Sequence, residues 1–263
     1  MYTTIELEIQ DSIANIYLNR PAVKNAFNEQ MIYEIKDCFT HLSQNDAVRV
    51  IIIRGKGTAF CAGADLNWMK HIKVKDFEAN LEESQLLSDC LYTIYSCPKT
   101  VISIVHGYSM GGANGILSAC DIAYTLDTTV FSLSEVKLGL IPSCIAPYIL
   151  KRVGEFAARE IMLTGKRITG KKAMTIGLVN KSFIDMDSLE DYLSHTIAHL
   201  KSGGMQAQRT IKMLIHQVVN HLSLDEARIY TAQMIAETRM TAEAQEGMEA
   251  FLEKRNPQWI KND

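Results

Sequence analysis

Three stretches of this sequence combine residue types and spacings that can do chemistry. The first is His106-Gly107-Tyr108-Ser109-Met110-Gly111-Gly112-Ala113-Asn114-Gly115-Ile116-Leu117, entered from the apolar, β-branched run Val101-Ile102-Ser103-Ile104-Val105. A strand that turns through two glycines into a helix leaves the first helical N–H groups without partners and aims them at one point. Gly111 and Gly112 carry no Cβ, so a ligand atom can approach the backbone closely. The turn therefore suits an oxygen that gains negative charge; a tight strand-to-helix turn with no ligand is the alternative. The second stretch, Phe60-Cys61-Ala62-Gly63-Ala64-Asp65-Leu66-Asn67-Trp68-Met69, is a run of small residues followed by an acid and a bulky helix start. It again lets a ligand lie along the backbone, while Asp65 is placed to cap the helix that follows. In the third, Ser134-Glu135-Val136-Lys137-Leu138-Gly139-Leu140-Ile141-Pro142, a glutamate sits beside apolar residues. Desolvation there would raise its pKa and fit it for proton transfer; a surface or ion-paired acid is the alternative.

The elements that must carry these stretches follow from periodicity. Ile5 to Ile9 and Ile13 to Leu18 predict a hairpin. Asn28 caps a helix whose Met31, Ile32, Ile35, Cys38, Phe39 and Leu42 form one apolar face. Val48 to Ile53 predicts a strand, residues 70–80 a mobile surface segment, and Leu81 to Tyr95 a helix. Asp121 to Leu126, Thr129 to Leu133 and Leu178 to Asn180 predict short strands. Ile145 to Arg152, Glu155 to Met162 and Lys171 to Ile176 predict helices. From Leu189 to Lys254 only helices are expected, broken near 201–204 and at Thr241. Strand–helix alternation in the first two-thirds argues an α/β fold, and the helical end reads as an interaction surface.

At 263 residues the chain is expected to form one large domain with a helical appendage. With 47% apolar and 22% charged residues and a net charge of −3, nothing in its electrostatics favours nucleic acid or an anionic membrane. No apolar run reaches membrane-spanning length, and the N-terminus lacks a basic-then-apolar signal. The six cysteines are scattered singly, as reduced thiols of a cytoplasmic protein would be, without metal-like pairing. Neither a metal nor a separate cofactor is expected. No G-x-G-x-x-G follows the first strand, so the glycine turn does not read as a nicotinamide site.

Four segments in this order resemble the crotonase (enoyl-CoA hydratase/isomerase) superfamily: Asn19-Arg20-Pro21 with Lys24-Asn25-Ala26; Phe60 to Leu66; Gly107 to Gly112 with Cys120-Asp121-Ile122; and Ser134 to Pro142. Leu163 to Arg167, Ala173 to Val179 and Gly247 to Arg255 extend the match over nearly the whole chain. The resemblance implies a spiral core of ββα turns over residues 1–200. A helical region, 201–263, would close the acyl pocket and assemble homotrimers or dimers of trimers. It implies an acyl-CoA substrate whose thioester carbonyl is held by the N–H groups of Ala64 and Gly112, with coenzyme A entering as part of the substrate. Such donors stabilise the enolate formed when a proton leaves or joins the α carbon, and losing one costs roughly 3–4 kcal/mol of barrier. Glu135 would be the catalytic acid–base. Cys61, Ala62, Asp65, Leu66 and Gly111 would line the coenzyme arm, and Lys24, Phe251 and Lys254 would reach the CoA or acyl group.

Gly115 stands where hydratases of the family place a first glutamate, so one of the two usual acids is missing. A single carboxylate can serve a hydratase or a Δ3,Δ2-enoyl-CoA isomerase. Glu82 and Glu83 are candidates for a second acid, with ordinary solvated acids as the alternative. Cys61 to Met69, Gly111 to Ile116, and Ser134 to Pro142 with Ala146-Pro147-Tyr148 resemble bacterial methylglutaconyl-CoA hydratases, which share the glycine. That points to a branched enoyl-CoA bearing a carboxylate, with Lys70, His71 and Lys73 as the nearest cations. A non-catalytic crotonase-like assembly protein is the reading from another class.

Overall fold

The computed structural model describes residues 2–260. In chain order the elements are β1 (Ile5–Gln10), β2 (Ile13–Leu18), α1 (Glu29–Gln44), β3 (Val50–Gly55), α2 (Leu66–Ile72), α3 (Phe77–Ser96), β4 (Thr100–Val105), β5 (Tyr108–Met110), α4 (Ala113–Ala119), β6 (Ile122–Leu126) and β7 (Val130–Ser132). They continue with α5 (Ala146–Thr164), β8 (Ile168–Thr169), α6 (Gly170–Thr175), β9 (Lys181–Phe183), α7 (Met186–Ser202), α8 (Met205–Asn220), α9 (Leu224–Arg239) and α10 (Ala242–Leu252). The chain divides into two compact units: residues up to 97 with 101–191, and 98–100 with those from 192 on.

One sheet runs in the order β1-β2-β3-β4-β6-β9 and a second in the order β5-β7-β8. The first opens with the expected hairpin, Ile5 opposite Leu18, turned by Asp11 and Ser12 at positive φ. Two consecutive left-handed residues give the turn a twist that matches the strands. β2 pairs with β3, and β4 with β6, in parallel. Strands covered on both faces should be continuously apolar, and Val101, Ile102, Ile104 and Val105 of β4 are all buried.

Helix α1 begins where Asn28 accepts the Met31 N–H and closes the first turn. Its apolar stripe from Met31 to Leu42 is buried and packs against α3. Each such side chain taken from water contributes about 1.5–3 kcal/mol, which is why a 16-residue helix with a polar outer face stays in place. The two helices expected around 145–162 are joined at Gly154, whose φ of 71° and ψ of 170° break the helical path within α5.

Several expectations are corrected. The strand near 178–180 is displaced to Lys181–Phe183, because Leu178 and Val179 fill the core while Asn180 hydrogen-bonds Ala123. Residues 70–80 are mostly helical: α2 extends to Ile72 and α3 starts at Phe77, capped by Asp76. The C-terminal helices have a further break, where Ser223 and Glu226 form a reciprocal cap that starts α9.

Candidate active site

A row of short pairings joins the segments that sequence marks as chemical. Phe27 and Ala64 form a parallel bridge: the Phe27 N–H donates to Gly63 O at 2.9 Å, and the Asp65 N–H to Phe27 O at 2.9 Å. The next bridge is Cys61 with Ser109, through Cys61 N–H to Tyr108 O (3.0 Å) and Met110 N–H to Cys61 O (3.1 Å). β5 then pairs with β7, Ser109 opposite Phe131 and Met110 opposite Ser132. The Gly111 N–H donates to Ser132 O at 2.8 Å. β7 runs on through Leu133 and Ser134 into a 3-10 turn that starts at Glu135. Residues far apart in sequence thus arrive side by side through backbone hydrogen bonds, with little dependence on side-chain identity.

Within that row, the Ala64 and Gly112 N–H groups donate to no acceptor among the described residues. Phe27 touches the neighbourhood of both. Its backbone holds Ala64, and its ring lies against Gly112, where a Cβ would come within 2.6 Å of Phe27 Cζ. Gly63, at φ 96°, lies so near Met110 O that a Cβ would sit 3.1 Å from it. Only a residue without a side chain allows so close an approach of the two backbones.

The Glu135 carboxyl reaches the same turn. A Cβ on Gly111 would be 3.2 Å from Glu135 Oε1, and Oε2 is buried without a hydrogen-bond partner. Burial pushes this carboxyl above its ordinary pKa, its own backbone N–H acting weakly the other way. An acid held by desolvation rather than by a cation can exchange a proton under mild conditions. Two unpartnered amides beside a proton-poised carboxyl can hold a carbonyl oxygen and move a proton at the neighbouring carbon.

The other predicted residues divide. Asp65 caps α2 by accepting from Asn67 and Trp68 N–H and pairs with Arg20 at 2.8 Å. Burial alone would raise its pKa, but the Arg20 hydrogen bond and the helix N–H groups outweigh that and hold it low. Cys61 is fully buried, and burial pushes its thiol up to about 12, so it packs as a thiol. Ala62 donates to Lys24 O at 2.9 Å, and exposed Lys24 places Nζ 5.1 Å from the Tyr108 ring centroid. Leu66 is exposed at the start of α2. Phe251 and Leu252 are exposed and line an apolar cavity of ≈ 470 Å³ within the second unit, with Ala207, Met248 and Trp259. Lys254 is exposed at φ 56°, its N–H on Phe251 O.

Of the two candidate second acids, Glu82 is exposed, whereas Glu83 is buried rather than solvated. Glu83 Oε1 accepts from Trp68 Nε1 at 3.0 Å and from Lys75 Nζ, which ties the α2–α3 connection to α3. The Trp68 ring meets Phe27 edge-on at 5.7 Å. At Gly115 the space for a side chain is already filled: a Cβ would lie 2.3 Å from Ile145 Cγ2 and 3.2 Å from Leu91 Cδ1. Sequence reasoning assigned no role to Asn114 or Phe27; a buried amide in a turn that otherwise needs only small residues was the available signal for Asn114.

The chain is similar to known proteins along nearly its whole length. The model of the family described as enoyl-CoA hydratase/isomerase matches residues 8–262. A crystal structure of an enoyl-CoA hydratase from Shewanella pealeana is similar with a TM-score of 0.93 and 34% identity, covering 98% of this chain and 96% of that one. Pseudomonas aeruginosa AtuE gives a TM-score of 0.95 and 30% identity, covering 98% of this chain and all (100%) of that one. The crotonyl-CoA hydratase of Syntrophomonas wolfei is 31% identical over 261 residues, 98% of each chain. The expected crotonase-like α/β fold is therefore present, and this chain belongs to the enoyl-CoA hydratase/isomerase family.

Proposed function

We propose that this enzyme adds water across the double bond of an enoyl-CoA thioester, with Glu135 as the single acid–base. The reading is supported by two amides without an acceptor, on Ala64 and Gly112, which both neighbour Phe27, and by the buried Glu135 carboxyl beside Gly111. The thioester oxygen accepts from both amides. Glu135 takes a proton from water as the water oxygen bonds to the β carbon, and the π electrons move onto the thioester oxygen as an enolate. The protonated Glu135 then delivers that proton to the α carbon, which restores the carbonyl and the carboxylate. Donors fixed before charge arrives need no reorganisation at that moment.

A second reading is favoured by Ile145. It places a methyl group where a residue-115 acid would project, so a second carboxylate at that position has no room. A lone carboxylate desolvated by burial also suits moving a proton from the α to the γ carbon, as in a Δ3,Δ2-enoyl-CoA isomerase. Supplying a conjugated 2-enoyl-CoA and a 3-enoyl-CoA separates the two: hydration removes the conjugated absorbance, isomerisation creates it. Turnover of neither, with Glu135→Gln unchanged in every assay, would return the chain to an assembly role without catalysis.

For the acyl group we favour a branched, carboxylate-bearing chain such as 3-methylglutaconyl-CoA. His71 and Arg20 line one cleft with Asn67 and Trp68 and can offer donors to a carboxylate, although Arg20 is already engaged by Asp65. Lys70, on α2, and Lys73, at its C-terminal cap, are exposed. Paired acyl-CoAs that differ only in a terminal carboxylate test this: equal kcat/KM for both would refute it. Lys24, Lys254 and Phe251 are retained as contacts for CoA or the acyl chain. Assembly into trimers or pairs of trimers is supported by exposed Ile211, Ile215, Val219, Ile229 and Ile235 on α8 and α9. Sedimentation at equilibrium would test it. Among the described residues no helix is long and apolar enough to cross a membrane; a cytoplasmic location remains part of the proposal.

A further inference from the structure

We infer that Asn114 is the positioning residue that orients the Gly112 amide. The inference rests on the function proposed above and concerns the one peptide unit that supplies half of the carbonyl-binding pair. The Gly112 N–H and the Gly111 carbonyl belong to the same planar group, so fixing one fixes the other. The Gly111 carbonyl accepts twice from Asn114: from its backbone N–H at 3.0 Å and from its side-chain Nδ2 at 3.0 Å.

The same Nδ2 donates to Ser109 O at 3.2 Å and Ser132 O at 3.0 Å, while Oδ1 accepts from Ser109 Oγ at 3.1 Å. Asn114 is completely buried. An amide whose two N–H bonds are shared among three carbonyls, and whose oxygen faces a hydroxyl, has only one sensible orientation. The side chain thus ties the glycine turn to β5 on one side and to β7, which leads to Glu135, on the other.

Two effects follow. Gly111 sits at φ 54° and both turn glycines lack side chains, so nothing of their own holds the peptide plane; Asn114 supplies that restraint. Donors on the carbonyl also polarise the peptide, which strengthens its N–H as a donor to a developing oxyanion. Asn114 touches no reacting atom in this scheme and acts only through Gly112.

The test uses the full-length enzyme and Asn114→Leu, which keeps the volume and removes every side-chain hydrogen bond. One readout is kcat against KM. The other is the absorption of a bound aryl-substituted enoyl-CoA, which shifts to the red when its carbonyl is polarised. We expect kcat to fall about 10²-fold, as for a misplaced catalytic group, with KM within about threefold and the red shift reduced. A variant that only loses thermal stability, with wild-type kcat and red shift while folded, overturns the inference. Should Asn114→Leu fail to fold, Ser109→Ala decides, because it frees Asn114 Oδ1 alone: a several-fold loss of kcat with a smaller red shift supports the role, and unchanged values overturn it. Absence of both turnover and red shift in the unaltered enzyme would instead defeat the functional proposal itself.

Discussion

Gly111 and Glu135 meet beside the β5–β7 pair, so closely that a Cβ on the glycine would lie 3.2 Å from Glu135 Oε1. The Gly111 N–H bonded to Ser132 O brings the two segments together at that point. The carboxyl therefore sits over the backbone that provides the Gly112 amide, as a base acting next to a thioester carbonyl must.

Replacing Glu135 with Gln should lower kcat by about 10²–10⁴-fold, the range for loss of a general acid–base, with a small effect on KM. The rising limb of the kcat/KM–pH profile should lie above the ordinary glutamate range, because burial raises this pKa. Stability moves the other way. The unfolded chain ionises at the ordinary value, so the stability available below it is lost as pH rises through the folded pKa. Glu135→Gln should then raise Tm at about pH 8 more than at about pH 4, measured by scanning calorimetry.

Gly112→Ala pushes a methyl group into Phe27, 2.6 Å from Cζ. Overpacking of this kind costs about 1–3 kcal/mol and moves the amide, so kcat should fall about 10²-fold. Adding Phe27→Leu should recover part of both losses, since neighbours that clash couple strongly. Strict additivity in the double variant would show that the ring does not buttress the turn.

At Gly115, a methyl group collides with Ile145 Cγ2 at 2.3 Å. Gly115→Ala should lose about 1–3 kcal/mol in urea unfolding, and Ile145→Ala beside it should restore much of that loss. Gly115→Glu alone should gain no hydratase activity, because the acid has no space. Gly115→Glu with Ile145→Ala is the version in which a second acid can be accommodated.

Glu34 anchors the N-terminal strand. It is buried and accepts from the N–H and hydroxyl groups of Thr3 and Thr4 and from Gln30. Burial alone would raise its pKa, but these donors outweigh it and leave the carboxyl at about 2. Its stabilisation is present above the unfolded glutamate value and is lost as pH falls through that range toward 2. Glu34→Gln should cost about 1–3 kcal/mol at neutral pH, a difference that shrinks on acidification.

How much was legible beforehand can be read from single elements. The hairpin, the buried face of α1, the Asn28 and Asp65 caps and the α/β class are written in local patterns, because hydrogen-bond caps and apolar periodicity act within a few residues. The Gly154 break in α5 was also visible. The position of β9 was not, since only packing of Leu178 and Val179 into the core distinguishes a buried loop from a strand. Glu83 reads as solvated on a helix surface until Trp68 and Lys75, from the preceding helix and its connection, close over it.

The sequence by itself determined which residues lack side chains, where a carboxyl stands among apolar neighbours, and that residue 115 brings no acid. These follow from composition and local spacing. Only the tertiary structure decided that Ala64 and Gly112 share Phe27, that Glu135 lies on Gly111, that Ile145 fills the place of a missing acid, and that Asn114 grips three carbonyls. Each of these depends on pairings between β5, β7 and loops dozens of residues apart, or on what packs behind them. Local propensity carries no information about which distant backbone will occupy a given side.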